Sequence, residues 1–521
     1  MSSASEHSRF ASIFAAGTLF SRVLGLVRDQ VWMALLPKAS RDAFIIAFKF
    51  PNMLREIVGE GASNAAFVPV FSESLNKESN EEFKRLVSSV MSAMIVLLVL
   101  LTIGGIFVLP TIIESMTFLD GFTQKAPVSD EKLALVGQLS KWTFPYLFFI
   151  CLAVFCMAPL FTLKHYTTPS WSPALLNIAF IACALLFRDA FDEPAYALVL
   201  GAWLGGMAQL GVQYVALVRV SGIRFPNFQL RHPGIRKVLF LLIPVLIGQS
   251  AGEVNRLVDT LFAYSLPDEG TVSSLFVANR LIQLPLSIFA VATSVAILPT
   301  LSTLHSEEQQ DALRATLLQG LSQSFYFIMP AMAGLFILGE PVIALLFERG
   351  EFDAAETAMA SSALACYAGG LLAFAWVKVT VTGFYAMQDT RSPVIIATLA
   401  MLFNILLNFA LIGPLGYRGL AISTTISYSL NAIALYALLS HRIGGLWHRE
   451  YVEGLVRIVF ATLFMSAIAY GSWLLCARWF DEAVFLGKLM IALLPIVASI
   501  VGYGILSKSF GIRQFDHFIE G

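Results

Sequence analysis

Residues 92–109 read SAMIVLLVLLTIGGIFVL, a run without one charged side chain. As a helix rising 1.5 Å per residue it would reach about 27 Å, close to the ~30 Å hydrocarbon core of a bilayer. Comparable runs recur along the chain, at Phe144–Leu163, Ala174–Phe187, Tyr196–Val218, Ile396–Ile412, Val459–Cys476 and Leu486–Leu506. Counting the stretches interrupted by charge or proline brings the total to about 14 helices. Only helices and closed barrels satisfy their backbone groups inside lipid, and these runs lack the alternation of a barrel strand.

Composition agrees. Of 521 residues 57% are hydrophobic and 13% charged, with a mean hydropathy of +0.75; soluble domains carry roughly 25% charge. A net charge of −1 excludes the basic excess that nucleic-acid binding needs. The five cysteines (Cys151, Cys156, Cys183, Cys366, Cys476) lie scattered in apolar runs and read as buried thiols. The N-terminus reads as an uncleaved first helix, since no small-residue cleavage site follows a clean apolar region.

Arginine and lysine set the expected orientation. Arg219, Arg224, Arg231, Arg236 and Lys237 follow one another with no acidic residue between them, while Pro267-Asp268-Glu269 marks an alternate loop as acidic. The positive-inside rule then places both termini in the cytoplasm, with an even number of spans. The same basic loop also suits anionic lipid headgroups.

An internal repeat runs through the chain. Asp29 and Asp259, Pro37 and Pro267, Pro69 and Pro299, and Ser72 and Ser302 are each 230 positions apart, and VRDQVWMALLP parallels LVDTLFAYSLP. Pro51 in FKFP answers Pro285 in IQLP. The expected architecture is therefore an all-α polytopic membrane protein with two parallel six-helix lobes, residues 1–230 and 231–445, around a central cavity. Two further helices and a cytoplasmic tail occupy 446–521. Parallel repeats of this kind place a transport site at their interface.

The anomaly is charge where lipid should be. FSRVLGLVRD carries Arg22, Arg28 and Asp29; the next helix carries Lys49, Arg55, Glu56 and Glu60, with Asp42 seven residues before Lys49. Each such group costs about 2.5–3.5 kcal/mol at mid-bilayer on insertion scales. Ser21, Gly25 and Arg28 share one helical face, and Arg22 and Asp29 an adjacent one. In the second repeat Glu253, Arg256 and Asp259 are spaced by three, and Arg280 follows in VANRLIQLP. Arg256 and Asp259 suit an i, i+3 pair. Two readings stand: buried pairs that fix packing, or a polar cavity on a transport path. Guanidinium groups suit bidentate contact with phosphate oxygens, so a cavity with several arginines favours an anionic, phosphorylated substrate.

At these residues the chain resembles the MurJ (MviN) lipid II flippases of the multidrug/oligosaccharidyl-lipid/polysaccharide exporter superfamily. The strings that carry the resemblance are SRVLGLVRD at 21–29, DAFIIAFKFPNMLREIVGEGA at 42–62, NRLIQLP at 279–285, LFERGEFD at 346–353 and FYAMQDTRSP at 384–393. It implies a 14-helix transporter that moves lipid II, the undecaprenyl-pyrophosphate-linked disaccharide-pentapeptide, across the bacterial inner membrane. By motif, Arg22, Arg28, Arg55 and Arg280 answer the family's essential cavity arginines, and Asp29, Asp42, Asn52 and Glu60 fall on positions that matter in it. Gln283 departs from relatives with glutamate there. The resemblance also implies a sodium site at Asp259, Asn404, Asn408 and Thr424, residues that equally suit hydrogen bonding between helices.

The expected mechanism is alternating access, with no ATP-binding loop and no cofactor beyond that sodium ion. Rival readings are another polysaccharide-lipid flippase or multidrug exporter of the superfamily, and a membrane glycosyltransferase or polymerase. The last would need a catalytic carboxylate in a substantial external loop, whereas the loops here are short.

Overall fold

A computed structural model describes residues 2–61, 66–114, 129–227, 229–230, 232–445, 449–512 and 514. They form nineteen α-helices: α1 Ser2–Leu35, α2 Lys38–Leu54, α3 Val68–Lys77, α4 Asn80–Glu114, α5 Asp130–Thr143, α6 Tyr146–Thr162, α7 Thr167–Trp171, α8 Pro173–Phe187, α9 Ala195–Ser221, α10 Pro233–Tyr264, α11 Thr271–Pro285, α12 Ala292–Ser306, α13 Gln310–Phe347, α14 Ala354–Ala368, α15 Leu371–Ala386, α16 Arg391–Leu415, α17 Tyr417–Arg442, α18 Arg449–Trp479 and α19 Phe485–Ser509. Ten helical segments among the described residues are long and apolar enough to span a bilayer, eleven if α14 and α15, bent by 46° at Gly369-Gly370, count as one. The remaining long helices, α1, α2 and α10, carry most of the intramembrane charges, and Arg280 lies on α11. Large apolar side chains face outward, among them Phe240 (78% exposed) and Trp479 (79%), a surface suited to hydrocarbon and not to water.

The helices gather into two compact units. The first comprises Met1–Val272 with Arg349–Glu351, the second Ser273–Glu348 with Phe352–Gly521. In the first, α8 and α9 approach closely because Gly201 and Gly205 stand one turn apart on α9. A Cβ on Gly205 would lie 2.8 Å from the Leu176 Cα, and one on Gly201 3.0 Å from the Phe180 Cα. This is the small-residue packing by which membrane helices associate without a hydrophobic drive. Trp32, Phe44, Phe48, Tyr146 and Phe180 form a ring-on-ring cluster joining α1, α2, α6 and α8. Arg41 is wholly buried, and its Nη1 donates to the Met33 (2.6 Å) and Leu36 (3.3 Å) carbonyls that the end of α1 leaves unpaired. The basic segment before α10 is strapped to α4. Ser88 Oγ donates to the Arg224 carbonyl (2.7 Å), and the Asn227 N–H donates to Ser92 Oγ (2.9 Å).

Pro51 and Pro285, the prolines matched by the repeat, behave alike. Proline removes an amide from the helical ladder, and each is followed by a π-helical stretch, Arg55–Gly61 after α2 and Leu286–Val291 after α11. The wider winding rotates the side chains beyond it relative to a straight helix.

In the second unit, α16 and α17 pair through Gly416, which takes a positive φ of 57° at their junction. At their opposite ends Asp389 joins the two. Its Oδ1 accepts the Arg391 and Ser392 amides (3.0 Å each); its Oδ2 accepts from Ser392 Oγ (2.5 Å) and forms an ion pair with Arg442. Arg442 lies over the Phe384 ring, 5.4 Å from its centroid. Burial pushes the Asp389 carboxyl up, but the Ser392 hydroxyl and amide and the Arg442 guanidinium outweigh it, lowering its pKa to about 2. All five cysteines are free thiols, four of them buried.

Two outcomes follow from this packing. Gly205→Leu should cost about 1–3 kcal/mol or more by overpacking, lowering the melting midpoint of the detergent-purified chain. Gly211→Leu, whose new Cβ would meet nothing within 4 Å, should leave the midpoint in place. Because the folded pKa of Asp389 lies below its ordinary ~4, its stabilisation is fully present above that value and is lost as pH falls through about 2. Asp389→Asn should lower the melting midpoint at pH 7, and the difference from the native chain should shrink between pH 4 and pH 2.

Candidate functional site

In the first unit, α1 presents Arg28 between α8 and its own helix. Arg28 Nε and Nη2 donate to Asp29 Oδ1 (3.0 and 2.7 Å), and Nη1 donates to Asn177 Oδ1 (3.1 Å). Asn177 is fixed in turn because its Nδ2 donates to the Ser21 carbonyl (3.0 Å). The guanidinium plane rests against aromatic faces, 4.6 Å from the Trp32 ring centroid and 5.6 Å from that of Phe180. Asp29 is fully buried, while the Arg28 side chain keeps 15% of its surface open. The expected face of Ser21 and Arg28 is thus real, and Asn177 binds both. Asp29 serves Arg28; Arg22 is exposed on another face of α1.

A second cluster lies where α2 and the following π-helical turn meet α10. Arg55 Nε donates to Asn52 Oδ1 (3.1 Å), and Asn52 Nδ2 donates to Glu56 Oε1 (2.8 Å). Glu56 Oε1 is 3.6 Å from Arg55 Nη2, and its Oε2 is 3.9 Å from Arg256 Nη2. Arg256 is also paired with Glu253, one turn earlier on α10. Lys49 sits within the field of Arg256, Glu56, Glu253 and Asp259. Asn255 Nδ2 donates to Asp259 Oδ2 (3.4 Å). Sequence spacing pointed to Arg256–Asp259; the ion partners of Arg256 are Glu253 and Glu56. Glu56, counted among the charges but given no role from sequence, is the hub. Its one sequence signal is the i, i+4 spacing from Asn52.

Other expected site residues lie elsewhere. Asp42 Oδ2 accepts the Gly270 amide (2.9 Å) and so organises the turn before α11, seven residues from Lys49 but not its partner in this cluster. Glu60 has a side chain outside the described residues. Arg280 is half-buried on α11 in the second unit. Close by, Gln283 Nε2 donates to Asn279 Oδ1 (2.7 Å), so an amide pair stands where a carboxylate was the alternative. Asn404, Asn408 and Thr424 are buried in the second unit. Asn408 Nδ2 donates to Asn404 Oδ1 (3.1 Å), and Asn404 Nδ2 to Thr424 Oγ1 (3.4 Å). These bonds tie α16 to α17; Asp259 belongs to the first unit. Among the described residues no group of three or more His, Cys, Asp or Glu side chains is arranged to hold a metal.

The first unit thus offers hydrogen-bond donors of high charge, each held by a named acid or amide, on segments that carry charge into a membrane. That arrangement has the chemistry to orient an anion. It provides no nucleophile–base pair.

Known proteins with the same pattern are transporters. The family described as lipid II flippase MurJ matches residues 34–490. A "Probable lipid II flippase MurJ" of Vibrio cholerae is 33% identical over 510 residues, covering 97% of this chain and 96% of that protein. A solved lipid II flippase MurJ in an inward closed conformation superposes with a TM-score of 0.75 at 26% identity, covering 95% of this chain and 99% of that one. An inward-facing multidrug MATE transporter of the MOP superfamily, 17% identical, shares the fold with a TM-score of 0.66 over 84% of this chain and 98% of its own. Matched over nearly its whole length in sequence and in fold, the chain belongs to the MurJ lipid II flippase family of multi-pass membrane transporters.

Proposed function

We propose that this chain carries lipid II from the cytoplasmic to the outer leaflet of the bacterial inner membrane by alternating access, with both termini in the cytoplasm. The headgroup crosses while the lipid tail stays in the membrane. The diphosphate is held by Arg28 and Arg55, and Arg22 draws it in; Arg280 is the second unit's candidate for anion contact. The observation that carries this reading is the mounting of Arg28. Asp29 and Asn177 hold three of its N–H donors and two aromatic rings hold its plane, so the guanidinium is preorganised, with an edge left for an incoming anion. Asp29 lowers the cost of keeping that charge inside a membrane, and Ser21 and Asn52 orient the two arginines. The chain supplies no nucleotide-binding loop, so the drive comes from outside it. Each charge moved through 100 mV of membrane potential is worth about 2.3 kcal/mol.

Arg28→Ala in a strain depleted of its own flippase should abolish growth and block precursor translocation while the protein remains in the membrane. Normal translocation by that variant would overturn the diphosphate assignment. Asn177→Leu removes the amide that aims Arg28 without touching its charge. It should reduce translocation by about tenfold, the worth of one charge-assisted hydrogen bond, with membrane levels unchanged.

A further inference from the structure

Glu56 is placed as an anion would be. Its two carboxylate oxygens point at guanidinium groups from different helices, Arg55 at 3.6 Å and Arg256 at 3.9 Å, and Lys49 adds a third cation to its surroundings. Both distances exceed the ~2.7–2.9 Å of a direct charge-assisted bond, so neither guanidinium is saturated by this carboxylate. The short contacts of Glu56 are to a neutral donor, Asn52 Nδ2 at 2.8 Å, and to the Glu253 carboxyl, with which it shares a hydrogen bond. The Glu56 side chain is 26% exposed and that of Arg256 45%, so both keep accessible surface. Glu253, almost fully buried, anchors Arg256 from the same helix and leaves its outer edge toward Glu56.

We propose that Glu56 is a tethered stand-in for the substrate's diphosphate, and that Arg256 is a further residue of the anion-binding site. This rests on the flippase reading above and names two groups in that site. In the resting protein the carboxylate lies in the field of Lys49, Arg55 and Arg256 and offsets part of their charge inside the membrane. A diphosphate carries more acceptor oxygens in a tetrahedral array and can meet both guanidinium groups at bonding distance. It displaces Glu56, which turns aside. On release the carboxylate returns and competes for the same donors. A permeant must bind well enough to enter and weakly enough to leave, and an internal competitor meets both conditions.

The test uses the full chain in lipid nanodiscs with undecaprenyl diphosphate as probe, binding followed by tryptophan fluorescence. Glu56→Gln should bind the probe about tenfold more tightly, the equivalent of ~1.4 kcal/mol, with slower dissociation. Arg256→Gln should bind it about tenfold more weakly. Glu56→Asp, which shortens the tether and keeps the charge, should fall between wild type and Glu56→Gln and serves if the glutamine variant does not fold. Wild-type or weaker affinity in the folded Glu56 variants, accompanied by a lower melting midpoint, overturns the proposal and makes Glu56 a packing residue. If Arg55→Ala still loses the probe in that case, the flippase site stands and only the competitor role falls. If Arg28→Ala and Arg55→Ala bind the probe like wild type, the site itself is wrong and this proposal falls with it.

Discussion

Charge inside hydrocarbon has to be compensated, and that constraint organises the first unit of this protein. An unpaired guanidinium or carboxylate at mid-bilayer is costly enough to exclude a helix from the membrane. Here several charges of the candidate site have company: Arg28 with Asp29, Arg55 and Arg256 with Glu56, Arg256 again with Glu253. Compensation is nevertheless graded. Arg28 is held at direct bonding distance and stacked, whereas Glu56 is shared loosely between two arginines. Tight pairs orient a group for use; loose ones leave it exchangeable.

Backbone geometry serves the same end. Two prolines related by the internal repeat each lead into a π-helical stretch, one beside Asn52, Arg55 and Glu56 and one beyond Arg280 and Gln283. A straight α-helix would spread such residues around its circumference at 100° steps. Freed carbonyls and wider winding are tolerated in a membrane where neighbouring groups or water satisfy them. The glycines at α9 act at a different point, seating α8 closely against α9, while Asn177 on α8 reaches Arg28 and Ser21 on α1.

Several residues were legible because their chemistry is local. Arg28, Asp29 and Ser21 lie on one helix, and helical spacing alone put Ser21 and Arg28 on a common face. Asn52 and Glu56 are likewise one turn apart. Asn177 was detectable only as the one amide in PALLNIAFIACALLF, with no sequence reason to assign it to Arg28 rather than to another helix. Asp42 illustrates the opposite error. Its seven-residue spacing from Lys49 is a valid helical face, but its Oδ2 accepts the Gly270 amide, far away in sequence.

By itself the sequence determined that this is a membrane-spanning all-helical transporter with cations carried into the bilayer. Hydropathy and the price of buried charge act residue by residue, and long family strings survive in one dimension. Only the tertiary structure decided which acid serves which base. Compensation depends on distance across helices, and Glu56 reaches Arg256 only because α10 packs against α2. The partner of an intramembrane charge is set by packing, and packing between helices leaves no periodic mark in the chain.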